Sequence, residues 1–288
     1  MVRYHGCFAW YELLTTDVIA AKTFYAEVIG WGARNASTPD LPYMLFTAEQ
    51  EPVAGLMELP AEARKMGATP RWMGYVGVDD VDSTAGLIAR LGGAVYVPPT
   101  DTNIGRISVV ADPQTATLAL RGWRPRDPPQ SADLTKPGRV GWHELLAADW
   151  RKAFDFYREI FGWQKSDAET GSTESYRLLM ADGETFGGML AKRPAEPVPF
   201  WLYYFNIDDI DAATARVKTG GGQLFEGPIE VPGGSWIARY VDPQGALFAL
   251  QGQRSPDNIR RAQGSEIGWS TAWSGISSRG RLVTKPRG

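Results

Sequence analysis

The sequence predicts an α+β protein of two tandem domains, each a pair of βαβββ units. Two observations carry this expectation. The chain repeats itself: Phe8-Ala-Trp-Tyr-Glu-Leu-Leu-Thr-Thr-Asp17 returns as Val140-Gly-Trp-His-Glu-Leu-Leu-Ala-Ala-Asp149, Phe24-Tyr25 as Phe156-Tyr157, and Gly30-Trp31 as Gly162-Trp163. Further on, Val78-Asp-Asp-Val-Asp82 returns as Ile207-Asp-Asp-Ile-Asp211, and Asp112-Pro-Gln114 as Asp242-Pro-Gln244. Within each copy, a strand, a helix and three strands follow one another twice. The repeat is far longer than a solenoid unit, so each copy is expected to bury a core of its own.

Each element has a local reason. Tyr11 and Leu13 alternate with Trp10 and Glu12, the period of a strand ending near Thr15. Asp17 and Asp149 stand as N-caps before helices over 18–29 and 150–161, and Gly30 and Gly162 supply left-handed stops. Short strands are expected over 31–36, 43–47 and 53–57. A new strand over 71–78 then leads through Asp80 or Asp82, as cap, into a helix over 84–91 closed by Gly92-Gly93. Strands over 94–97, 106–111 and 117–121 complete the half.

The alternation also assigns faces. Val76, Val78, Leu118 and Leu120, with Phe205, Ile207, Phe248 and Leu250 in the second copy, form rows suited to packing beneath helices. The opposite face carries Trp10, Glu12, Met73, Tyr75, Thr117, Ala119 and Arg121, matched by Trp142, Glu144, Leu202, Tyr204, Leu247, Ala249 and Gln251. Aromatic area with sparse polar groups suits the wall of a small-molecule cleft.

The boundaries read as a first domain over 1–122, a linker over 123–138 rich in proline and polar residues, a second domain over 139–252, and a tail over 253–288. The tail carries seven Lys and Arg against two acidic residues from Arg254 onward, with few aliphatics, a disordered-segment composition. A single cysteine, Cys7, rules out an internal disulfide framework. No apolar leader or membrane-length run is present, so the expected location is cytoplasmic. With a net charge of −3, nucleic acid is not an expected partner, nor is a membrane.

These residues resemble the vicinal oxygen chelate superfamily of glyoxalase I, extradiol dioxygenases, bleomycin-resistance proteins and fosfomycin-resistance enzymes. The motifs that carry the resemblance are the helix ending Phe-Tyr-x-x-x-x-Gly-Trp, the Val-Asp-Asp-Val-Asp turn followed by Leu-Gly-Gly, and the Asp-Pro-Gln turn before the last strand. It spans residues 5 to 252 and looks most like two-domain, glyoxalase-like members. The resemblance implies a curved, mostly antiparallel sheet around a cleft in each domain. It also implies a divalent metal held from the first, fifth and last strands, but those positions fall on Trp10, Met73 and Ala119, and on Trp142, Leu202 and Ala249. None of these side chains suits such a cation. No cofactor is therefore expected, with a divalent metal bound from unexpected positions left open.

Of the two histidines, His143 has the parity of the helix-covered face and His5 precedes the first strand, so they read as a structural residue and a frayed terminus. Asp79-Asp80 and Asp208-Asp209 read as helix caps, Gly220-Gly-Gly222 and Gly233-Gly234 as turns, Cys7 as a small strand residue, and Trp31 and Trp163 as core. Glu12 and Glu144 are the candidate catalytic residues. A carboxylate in an apolar cleft has its pKa raised and can act as a general base near neutral pH. An ion pair to a strand arginine, Arg121 for Glu12, is the competing role.

The leading expectation is a metal-independent protein binding small apolar, aromatic or antibiotic-like molecules through Trp10, Met73, Tyr75, Arg121, Trp142, Leu202, Tyr204 and Gln251. The alternative is a glyoxalase-like lyase or isomerase, or a related enzyme, using Glu12 or Glu144 or an atypically placed metal. A third reading is a protein contact made by the basic tail. A monomer with internal pseudo-symmetry, or a weak homodimer, is expected. The pairing of the four units is not determined by the pattern.

Overall fold

A computed structural model describes residues 4–39, 41–102, 104–122, 134–166, 176–194 and 196–254. Most of the expected linker, 123–133, and the tail from 255 lie outside the described residues. In the first half, β1 (Phe8–Thr15), α1 (Val18–Ile29), β2 (Gly32–Asn35), β3 (Met44–Ala48) and β4 (Glu51–Glu58) form one unit. After α2 (Ala61–Lys65), the second unit is β5 (Arg71–Val78), α3 (Val81–Arg90), β6 (Ala94–Thr102), β7 (Gly105–Ala111) and β8 (Thr117–Gly122).

The second half repeats the plan with β9 (Val140–Ala147), α4 (Trp150–Phe161), β10 (Gln164–Lys165), β11 (Tyr176–Ala181) and β12 (Glu184–Ala191). It closes with β13 (Phe200–Asp209), α5 (Ile210–Thr219), β14 (Gln223–Glu230), β15 (Trp236–Val241) and β16 (Leu247–Gln253). Consecutive units pair with each other. Each half forms one eight-stranded sheet, ordered β2-β3-β4-β1-β5-β8-β7-β6 and β10-β11-β12-β9-β13-β16-β15-β14. β1 and β5 meet antiparallel at its centre, with Glu12 opposite Met73 and Trp10 opposite Tyr75.

The helices start and stop where the sequence places them. Asp17 accepts from the Ala20 amide at 2.9 Å, Asp149 caps α4, and Gly30 and Gly162 take φ values of 88° and 70°. Asp80 and Asp209 cap α3 and α5, so α3 begins at Val81, three residues before the expected start. β6 runs beyond the expected Val97 through Pro98-Pro99 to Thr102, which is tolerated because β6 is the sheet edge and its register shifts between Val97 and Thr100. The short helix α2 was not anticipated; Pro60 precedes it without a side-chain cap.

The expectation of a separate core in each half is corrected. One apolar cluster runs through both, from Phe8, Phe24, Tyr25 and Trp72 to Phe161, Trp163, Phe205 and Phe248. Alternation shows that a sheet face is apolar but not what covers it, and here each half covers the other. The α1 residue Phe24 meets Phe248 edge-on with centroids 5.8 Å apart, and Arg216 of α5 donates to the Val28 carbonyl at the end of α1.

The repeated motifs are built into this interface. Asp112 accepts from the Gln114 and Ala116 amides with one oxygen and from Tyr157 of the other half with the second, at 3.2 Å. Asp242 does the same with Tyr25, at 3.0 Å. Trp72 and Trp201 donate to those tyrosines, while Trp31 and Trp163 donate across the halves to the carbonyls of Gly138 and Gly6. His5 is also tied down rather than frayed. Its Nε2 lies 3.1 Å from the Ile160 carbonyl, and its Nδ1 lies 3.4 Å from an Asp79 oxygen.

Candidate functional site

With the helix-bearing faces spent on the interface, the opposite faces carry the candidate clefts. In the first half, Leu14, Leu59, Met73, Tyr75 and Ala119 form a second, smaller apolar cluster, and Trp10, Met57, Ile107 and Val109 pack on it while staying partly exposed. The second half has the matching cluster of Leu146, Leu202, Tyr204 and Ala249 with Trp142, Leu190, Ile237 and Leu247. Strand alternation and the register of β1 on β5 and β9 on β13 bring these residues together.

Glu12, on the candidate cleft face of the first half, is 5 % exposed. Tyr43 donates to its Oε1 and Tyr75 to its Oε2, each at 2.7 Å, and Trp10 Nε1 donates to Tyr43 at 3.2 Å. Burial raises the pKa of Glu12, and the phenol hydrogen bonds, which favour its charged form, offset part of that rise. The phenols of Tyr43 and Tyr75 are themselves pushed up by burial and by the neighbouring Glu12, so they remain protonated donors. Arg121, weighed as an ion-pair partner for Glu12, instead donates its Nε to the Ile104 carbonyl at 3.2 Å. Two phenols take the place expected for the guanidinium.

Glu144 has the same surroundings and one difference. Tyr204 donates to its Oε2 at 2.7 Å, Tyr176 also bonds to it, and Trp142 donates to Tyr176 at 2.8 Å. Beyond these, Arg239 of β15 donates its Nη2 to the same Oε2, its Nε to Tyr204 at 3.0 Å, and its Nη1 to Glu226 at 2.9 Å. Burial disfavours the Arg239 charge, but Glu144, Tyr204 and Glu226 outweigh it and raise its pKa. Glu226 also takes Arg193 Nη1 at 3.3 Å. The second cleft therefore holds its carboxylate in an internal ionic network.

The register shows what replaces that network in the first half. Arg239 lies opposite Ala249 and Glu226, as Val109 lies opposite Ala119 and Val97. The pair Glu226 and Arg239 becomes Val97 and Val109, so the first cleft lacks that ion pair on its matching strands, while the charge of Arg121 acts on Tyr43 and Tyr75.

The remaining expected residues are also placed. Trp10 and Trp142 flank the clefts with their indoles bonded to tyrosines, and Met73 and Leu202 are buried on the same faces. Gln251 donates to Asn206 at 2.5 Å, and Asn206 in turn holds the carbonyls of Leu134 and Lys136, so this amide serves the chain approaching β9. His143 is buried on the interface side, and burial pushes the Cys7 thiol up. Tyr43, Tyr176, Arg239 and Glu226 join the sites without being singled out by the sequence pattern. Their signals were the tyrosine preceding or opening the third strand of each half, and an arginine at the place of a valine.

The donor set of the first cleft, one carboxylate and two high-pKa phenols, does not fit a divalent cation, which needs several nitrogen, thiolate or carboxylate ligands. Among the described residues no three His, Cys, Asp or Glu side chains come together as a cation site.

Comparison with known proteins places both halves. The model of the Glyoxalase/Bleomycin resistance protein/Dioxygenase superfamily matches residues 8–120 and 139–250. The candidate glyoxylase CFP32 of Mycobacterium tuberculosis is 34% identical over 245 residues, covering 84% of this chain and 92% of its own. The anthracycline biosynthesis protein DnrV of Streptomyces peucetius is 29% identical over 258 residues, covering 85% and 92%. In fold, the chain is similar to the Mn(II)-bound glyoxalase of Novosphingobium aromaticivorans, with a TM-score of 0.59 and 16% identity over 88% of this chain and 84% of that one.

Proposed function

The chain belongs to the Glyoxalase/Bleomycin resistance protein/Dioxygenase superfamily, and on that premise we propose that it binds a small, largely apolar or aromatic molecule in its first cleft without a metal ion. One observation carries the reading. The first cleft presents partly exposed Trp10, Met57, Ile107 and Val109 around a buried carboxylate that two phenols hold in place. Apolar area supplies affinity there, and a single oriented polar group supplies direction. DnrV, whose name places it in anthracycline biosynthesis, is consistent with a polycyclic aromatic ligand.

Under this reading the protein acts in the cytoplasm as a monomer whose two halves stand in for two subunits. Nucleic acid and membranes are not partners, in keeping with the net charge of −3. No helix among the described residues is long and apolar enough to cross a membrane. Thermal-shift and fluorescence titration with a panel of polycyclic aromatics tests the proposal. Binding that Trp10→Ala removes and Trp142→Ala leaves supports it; binding insensitive to Trp10→Ala contradicts it.

A second reading has its own observation. Burial raises the pKa of Glu12, as a general base working near neutral pH requires, and a glyoxylase-named relative covers both halves. Glu12 would then take a proton from carbon next to a carbonyl, with Tyr43 and Tyr75 fixing its orientation. Turnover that Glu12→Gln abolishes while ligand affinity persists would establish this reading over simple binding.

A further inference from the structure

We infer that the first cleft selects ligands that carry a positive charge on their apolar body, the charge settling beside Glu12 where Arg239 settles beside Glu144. The inference rests on the small-molecule reading above and names the class of molecule.

The two halves form an internal comparison. Both carboxylates sit on the same strand position, both are bonded by a pair of tyrosines, and in both clefts a tryptophan indole bonds one tyrosine. The second half completes this arrangement with a cation from its own β15, Arg239, 12 % exposed. A buried carboxylate is costly without a countercharge, so the arginine is what makes Glu144 tolerable in its setting. In the first half the same register position is Val109, and the residue opposite is Val97, which is 38% exposed. Arg121 acts on Tyr43 and Tyr75 through its charge, but both Glu12 oxygens bond phenols, so among the described residues no guanidinium donates to Glu12 as Arg239 donates to Glu144.

What is missing beside Glu12 is therefore defined by its twin: a donor cation approaching from the β7 side, over an apolar wall. A ligand ammonium, amidinium or guanidinium supplies it. Trp10, partly exposed, adds a ring face suited to a cation and its aromatic body. The second cleft, by the same comparison, already contains its cation and does not take this ligand.

The test uses the full-length protein and two probes of one shape, 2-naphthylmethylamine and 2-naphthylmethanol, titrated calorimetrically at neutral pH. The amine is expected to bind once per chain, about 30-fold or more tighter than the alcohol, the scale of a buried charge pair that loses one partner. Glu12→Gln should level the two probes. A V97E/V109R double variant, which imports the charges of the second cleft whole, should also abolish the amine preference while the melting temperature stays near that of the parent. Equal binding of amine and alcohol to the parent protein would overturn the charge selection and leave the small-molecule reading standing. Failure of both probes to bind would overturn both readings, and amine binding unaffected by Glu12→Gln would overturn the assigned position.

Discussion

Tyr11 and His143 occupy the same position in the two halves of the chain and meet across the interface, Tyr11 Oη lying 2.5 Å from His143 Nε2. His143 Nδ1 faces the Phe186 carbonyl at 2.8 Å, which makes Nδ1 the protonated nitrogen and Nε2 the acceptor of the Tyr11 hydroxyl. The imidazole stacks on Phe8 with centroids 4.2 Å apart. This places the histidine, so tempting beside Glu144 in the sequence, in the buried core between the halves, bonded to Tyr11 and Phe186.

Acid should therefore loosen the joint between the halves. Burial lowers the His143 pKa from 6.5 to about 4, so between those values the unfolded chain binds a proton that the folded one refuses. Stability due to this residue is full above about pH 6.5 and falls as pH drops to about 4, by on the order of 3 kcal/mol. Asp112 and Asp242, whose pKa values burial raises, act in the opposite sense. The difference in urea stability between the parent and His143→Gln is thus the clean measure, and it should shrink as pH falls from 7 to 4.5.

The cross-half hydrogen bonds of the repeated motifs should carry comparable weight. Tyr25→Phe leaves an Asp242 oxygen and the Trp72 indole without that partner, and Tyr157→Phe does the same to Asp112 and Trp201. Each change is expected to cost about 1–3 kcal/mol in chemical denaturation. A single unfolding transition should persist in both variants, because the core is continuous across the halves.

The two glutamates should respond differently to neutralisation. A carboxylate whose pKa is raised by folding adds stability only at low pH, and that contribution is lost as pH rises through its folded value, so Glu12 is a burden when ionised. Glu12→Gln should leave the melting temperature at neutral pH unchanged or higher. Glu144→Gln removes one of the two carboxylates on the buried Arg239, leaving Glu226, and should destabilise by about 1–3 kcal/mol.

Metal retention distinguishes the donor set from that of metal-binding relatives. After incubation with zinc, nickel, manganese or iron(II) and desalting, elemental analysis should find well under one equivalent per chain. Stoichiometric metal lost on Glu12→Gln would show that the carboxylate and phenols bind a cation after all.

Much of the architecture was written in local signals. Asp17 and Gly30 bound α1, and strand parity separated Val76 and Leu118 from Trp10 and Glu12. What parity could not convey was the partner of each face, so the shared core appeared only in three dimensions. The site was half legible for the same reason. Glu12 and Trp10 lie on one strand, whereas Tyr43 joins them from β3, and Arg239 reaches Glu144 across 95 residues of chain. Arg121 was a natural partner for Glu12 by face alone; the carboxylate's two phenols occupy the geometry that pairing needed.

A crystal structure of the protein soaked with 2-naphthylmethylamine tests the assignment of the first cleft most sharply. One molecule is expected in the first cleft, its ring against Trp10 and its nitrogen within hydrogen-bond distance of Glu12, with Arg239 still on Glu144. A molecule in the second cleft, or an amine in the first cleft turned away from Glu12, would contradict it.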